Sequence, residues 1–220
     1  MDKISVTKDV TEKHHRRSIR LKDYDYSKPG AYFVTICSQN RECLFGRIVD
    51  GKMRLNKTGK MIQTIWNELP QNYPGVDIDA FVVMPNHVHG IIVLTPVGAG
   101  PCACPEGGQP QGVAPTISLP DVVHRFKSLT TTLYRKNLIQ NNARSFTIRL
   151  WQRNYYKHII RNEEKLNLVR EYILNNPLQW QYDKENPEHI KDKIYDKKWG
   201  GFENVLYGKT KQTEKVTILL

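Results

Sequence analysis

The stretch that most constrains this chain runs from Phe81 to Leu94, FVVMPNHVHGIIVL. Two apolar, β-branched runs flank Met84-Pro85-Asn86, which reads as strand, tight turn, strand. Side chains alternate faces along a strand, so His87 and His89 project the same way, with Cα atoms ~6.5–7 Å apart. Two imidazoles so placed can converge on one divalent cation, but a lone His-x-His pair on a strand also serves purely structural ends. An open metal site needs at least one more ligand, and it has to come from elsewhere in the chain.

The remaining pattern is that of a mixed fold. Ala31 to Ser38 is an apolar, aromatic strand. Asp50-Gly51 joins Arg47–Val49 to Met53–Leu55 as a hairpin. Ile62, Ile65, Trp66 and Leu69 recur at helical spacing over about 58–70, with Asn56 or Thr58 as cap and Pro70 and Pro74 at the end. Strands are expected over 78–84 and 87–94. Residues 96–116 are rich in Gly and Pro and poor in bulky side chains, so they read as a flexible insertion outside the catalytic core. Ser118 caps a helix that runs to about Leu138, its apolar stripe being Val122, Phe126, Leu129 and Leu133. Short extended pieces follow over 146–151 and 155–160. A last helix, 163–176, opens on two glutamates and is stopped by Pro177. Strand-helix-strand-strand-helix-strand is the split βαβ, ferredoxin-like α+β pattern, a largely antiparallel sheet with helices packed on it. No dinucleotide fingerprint or P-loop is present.

Three regions are expected: a basic arm over 1–23, a domain over 24–182 and a mixed-charge tail over 183–220. The chain has 33 Lys and Arg against 22 Asp and Glu, a net charge of +11, which suits a polyanionic partner, above all nucleic acid. It has no apolar run near the ~20 residues of a membrane span and no apolar core to an N-terminal signal, so a cytoplasmic, nucleoid-associated protein without membrane contact is expected. Cys37, Cys43, Cys102 and Cys104 form no CxxC pair, and neither structural zinc nor a disulfide is expected.

The helix 163–176 offers partners for the histidines. At ~100° per residue, Leu166, Val169 and Ile173 define the buried direction; Tyr172 falls ~90° to one side of it and Asn176 ~50° to the same side. They are neighbours at i and i+4, whereas Asn175 points away from the core. If this helix lies on the histidine face, a phenol and an amide oxygen reach the two imidazoles together. A half-buried Tyr and a C-cap Asn before proline explain the same two residues without a site.

Four segments together resemble the REP-associated tyrosine transposases, single-tyrosine HUH transposases with an IS200-like domain. They are Pro85-Asn86-His87-Val88-His89; Phe126-Lys127-Ser128; the run Trp151 to Arg161, WQRNYYKHIIR; and Glu171 to Pro177, EYILNNP. The resemblance spans about residues 24–182. It implies a ferredoxin-like HUH endonuclease domain, a divalent metal (Mg²⁺ or Mn²⁺) on His87 and His89, a third ligand at Asn176 and a nucleophile at Tyr172. Tyr155 and Tyr156 are the rival nucleophiles, ranked lower because they fall in the Trp-Gln-Arg segment. The implied reaction is nicking and joining of single-stranded hairpin DNA, REP-like palindromes, through a 5′-phosphotyrosine, by a monomer or a homodimer. Basic residues placed to hold phosphates are Arg16, Arg17 and Arg20 on the arm, Arg125, Lys127 and Arg135 on the helix, and Arg153 and Arg161. Lys127 serves equally well as a solvated lysine. Two other functions stay open: a domesticated, non-catalytic DNA-binding protein of the same fold, and a metal nuclease that uses water.

Overall fold

The structure is a computed structural model, and it describes residues 24–96, 117–140 and 149–191. Its centre is a four-stranded sheet. The strands are β1 (Gly30–Cys37), β4 (Val76–Val83), β5 (His87–Leu94) and β6 (Tyr156–Ile160), in the order β4-β5-β1-β6. Every neighbouring pair is antiparallel. Hairpin strands β2 (Gly46–Val49) and β3 (Lys52–Leu55) pair apart from this sheet. Their turn puts Asp50 at φ 52° and Gly51 at φ 69°, the left-handed pair that a tight two-residue hairpin requires.

Helix α1 (Lys57–Asn67) and the single-turn α2 (Leu69–Asn72) connect β3 to β4, and α3 (Leu119–Gln140) lies between β5 and β6. The strand–α1–strand and strand–α3–strand halves make the ferredoxin-like arrangement. α4 (Glu163–Asn175) follows β6 and leads into a 3-10 turn, Asn176–Tyr182. The starts of α1 and α4 are capped by asparagines, Asn56 being one of the two caps expected for α1. Asn56 Oδ1 accepts from Gly59 N at 2.9 Å, and Asn162 Oδ1 accepts from Lys165 N at 2.9 Å, satisfying an otherwise orphaned N–H at each end. The extended piece expected over 146–151 is described only from 149, where a single bridge, Ser38 to Trp151, touches the chain end of β1.

Strand alternation sorts the side chains into two cores. Tyr32, Val34, Ile36, Val88 and Ile92 meet Ile62 and Trp66 of α1 and Val122 and Phe126 of α3. Phe33 and Ile91 face the other way, against Val169, Tyr172 and Ile173 of α4. The strand pair β1–β5 is therefore covered on both faces, which is why its sequence is almost continuously apolar. Close packing leaves Gly90 no room for a side chain: a Cβ there would overlap the indole of Trp66, 2.7 Å from Cη2. Trp66 itself is stacked on Phe81 with centroids 4.4 Å apart. Gly90→Ala is expected to cost about 1–3 kcal/mol, the usual penalty for overpacking, and a urea melt reads it.

Candidate metal and nucleophile site

The register Cys37↔His87 and Thr35↔His89 places both histidines at the end of the central strands, on the α4 face. Both are fully buried. Their Nε2 atoms face each other at 2.9 Å. Each ring is held from behind: Asn86 Oδ1 lies 2.8 Å from His87 Nδ1, and Thr35 Oγ1 lies 2.9 Å from His89 Nδ1. Burial drives the pKa of both rings down, that of His89 to about 3, and for His87 the neighbouring His89 and Arg41 add to the effect. Both imidazoles are neutral at pH 7, the form that ligates a cation.

α4 delivers Tyr172 against this pair. Its ring centroid is 5.4 Å from that of His89 and 6.2 Å from Phe33, and the residue is 1% exposed. Asn176, one turn on, is also buried, and its Oδ1 has no hydrogen-bond partner among the described residues. Asn175 is half-exposed and its amide returns to Glu171 O. Tyr172 and the histidine pair meet within one chain. Tyr155 and Tyr156 are partly buried at the start of β6, and Tyr155 packs with the first core, across the sheet from α4.

One member was absent from the sequence reading. Asp183, immediately after the 3-10 turn, puts Oδ2 3.6 Å from His87 Nε2. His87, His89 and Asp183 are all buried, and one ligand atom from each lies within 4.8 Å of the others. The chain stays packed beyond it. Glu185 O accepts from Asn86 Nδ2 at 2.7 Å, Glu185 Oε2 accepts from Arg41 Nε at 3.0 Å, and the Cys37 thiol donates to the same carboxylate. Asp183 sits in a region of mixed charge with no periodicity, and nothing in that pattern marks a ligand.

This donor set fits a divalent metal. Two neutral imidazoles and a buried carboxylate, with one ligand atom of each within 4.8 Å of the others, could together hold a divalent cation.

The basic residues divide. Arg16, Arg17 and Arg20 lie outside the described residues, as does the insertion from 97 onward. Arg125 is exposed over the ring of Tyr73, at 5.0 Å. Arg135 and Arg153 are exposed and, with Arg149 and His124, border a cleft of about 320 Å³ along α3. Arg161 is exposed just before α4. Lys127 is half-buried and borders the same cleft. Its Nζ donates to the carbonyls of Gln152, Arg153 and Asn154 at 2.9, 3.3 and 3.0 Å, which occupies all three ammonium protons. Burial lowers its pKa to about 8, so the ammonium still predominates at neutral pH.

The fold is an antiparallel, ferredoxin-like sheet with His-x-His on β5 and the Tyr172 ring of α4 laid against it. Residues 112–176, the part that carries α3, β6 and α4, match the model of the IS200-like transposase family. It is 46% identical over 175 residues to an uncharacterized protein of Haemophilus influenzae, covering 77% of this chain and 92% of that one. A second Haemophilus influenzae protein, described provisionally as a REP-associated tyrosine transposase, is 24% identical over 189 residues, covering 80% and 91%. A solved REP-associated tyrosine transposase bound to a REP hairpin superposes with a TM-score of 0.48 at 21% identity, over 76% of this chain and 77% of that one. The family assigns a DNA-processing, transposase role. Among the described residues, no helix is long and apolar enough to cross a membrane.

Proposed function

We propose that this protein is a metal-dependent strand transferase that cuts and rejoins single-stranded hairpin DNA, with Tyr172 as the nucleophile. The observation that carries the reading is the convergence, inside one chain, of a neutral histidine pair and a tyrosine ring 5.4 Å from it. A divalent cation, Mg²⁺ or Mn²⁺, held by His87 and His89 with Asp183 and Asn176 as candidate further ligands, would polarise the scissile phosphate and stabilise charge on its oxygens.

The chain's own residues do the rest. Tyr172 Oη attacks phosphorus, forming the phosphotyrosine bond as the bond from phosphorus to the 3′ oxygen breaks. The products are a 5′-phosphotyrosine and a free 3′-hydroxyl, and the reverse attack rejoins strands without a nucleotide cofactor. α4 is fastened for this by Arg170, which donates to both carboxylate oxygens of Asp79 on β4 at 2.9 and 2.7 Å. Tyr172 and both histidines are buried, so a phosphate reaches them only when a covering segment opens. Arg125, Arg135, Arg153 and Arg161, exposed on the described surface, and Arg16, Arg17 and Arg20 on the N-terminal arm hold the flanking phosphates.

The test is a denaturing gel of the protein incubated with labelled hairpin single-stranded DNA and Mn²⁺. A protein–DNA adduct is expected with the wild type and none with Tyr172→Phe, whose cleavage falls at least ~10³-fold, as expected for loss of a nucleophile. Cleavage without an adduct identifies a water-using nuclease, and binding without cleavage identifies a DNA-binding protein of the same fold.

A further inference from the structure

Asn86 fills the last position of the turn before β5 and is completely buried. Its amide is fully engaged. Nδ2 donates to Arg41 O at 3.0 Å and to Glu185 O at 2.7 Å, while Oδ1 faces His87 Nδ1 at 2.8 Å. Carbonyl oxygens only accept, so the nitrogen end of the amide must be the one that faces them. Oδ1 is then fixed toward His87, and an amide oxygen also only accepts. His87 must therefore carry its proton on Nδ1. A neutral imidazole has one such proton, so Nε2 presents a lone pair into the site.

His89 is held differently. Its Nδ1 meets the hydroxyl of Thr35, which can donate or accept. With His87 Nε2 committed as an acceptor at 2.9 Å, the metal-free His89 carries its proton on Nε2 and donates it across the pair, while Thr35 donates to His89 Nδ1. When a cation takes the Nε2 lone pairs, the His89 proton moves to Nδ1 and Thr35 becomes the acceptor. One histidine is locked and the other is exchangeable.

We propose that Asn86 is a positioning residue that locks His87 in its metal-ready tautomer. Through the same amide it ties down the backbone at Glu185, two residues beyond Asp183. One side chain thereby sets the lone pair of the first ligand and anchors the segment that brings the carboxylate. The cation half of this inference rests on the function proposed above, and the tautomer half does not.

The two halves are tested separately. Imidazole ¹⁵N NMR of the metal-free full-length protein at pH 7.5 is expected to show His87 protonated on Nδ1 and His89 on Nε2. Adding Mg²⁺ moves the His89 proton to Nδ1 and leaves His87 unchanged. A metal-free His87 protonated on Nε2 overturns the lock in the wild type itself, with no variant needed. Asn86→Ala is expected to release the His87 preference and to weaken Mn²⁺ binding 10–100-fold, the usual effect of losing a partner behind a ligating histidine. Thr35→Val leaves the His87 tautomer in place. An Asn86→Ala protein with wild-type circular dichroism and Mn²⁺ affinity within twofold of wild type overturns the inference. A wild type that shows the stated tautomers yet binds no Mn²⁺ upholds the lock and overturns the cation reading.

Discussion

Asp183→Asn is expected to weaken Mn²⁺ binding by 10-fold or more and to abolish strand cleavage, with the fold intact. The substitution is nearly isosteric, and the remaining Oδ1 still accepts from Glu185 N, a contact of 2.7 Å. What disappears is the negative charge 3.6 Å from His87 Nε2. Hard divalent cations gain much of their affinity from ligand charge, and carboxylates suit them better than amides do. Asn176→Ala should weaken binding by a smaller factor, because only a neutral amide oxygen is lost. Calorimetric titration with Mn²⁺ on the two variants ranks them; a wild-type affinity in Asp183→Asn together with a collapse in Asn176→Ala reverses the assignment.

That ranking marks the line between what the sequence shows and what it hides. A helix turns by a fixed angle per residue, so Leu166, Val169 and Ile173 alone put Tyr172 and Asn176 side by side on the flank of the buried stripe, but not the full burial of Tyr172, which is 1% exposed. Strand alternation likewise put His87 and His89 on one face. The apolar runs at 31–38 and 87–94 announced a buried pair but not its register, since pairing partners 50 residues apart leave no local mark. Asp183 was hidden for a related reason: it follows an irregular turn, where position depends on packing rather than on a repeat. Lys127 was visible as a lysine on a helix flank, yet its carbonyl partners lie 25 to 27 residues away. Asn86 looked like a turn residue, and its role behind His87 exists only once the loop at Arg41 and the segment at Glu185 close around it.

Burial of the histidines also makes a prediction about acid. In the unfolded chain each ring titrates near 6.5, whereas in the fold His89 titrates near 3 and His87 well below its usual value. Between those limits the unfolded state binds more protons, so stability falls as pH falls, and the contribution is fully present only above about pH 6.5. His89 alone gives a slope of up to about 1.36 kcal/mol per pH unit, and His87 acts in the same direction. By pH 5.5 His89 alone should have cost the metal-free protein about 1.4 kcal/mol, a sizeable part of a typical domain's 5–15. Urea melts at pH 7.5, 6.5 and 5.5 measure the loss. Cation binding to the folded protein should behave in the opposite way. Two exposed histidines would be about nine-tenths protonated each at pH 5.5, and affinity would fall on the order of 100-fold. Rings that burial keeps neutral impose no such competition, so Mn²⁺ affinity should change less than about threefold between pH 7.5 and 5.5. A 100-fold loss over that interval would mean that His87 and His89 open to water in solution, and that the closed pair is not the form that binds the metal.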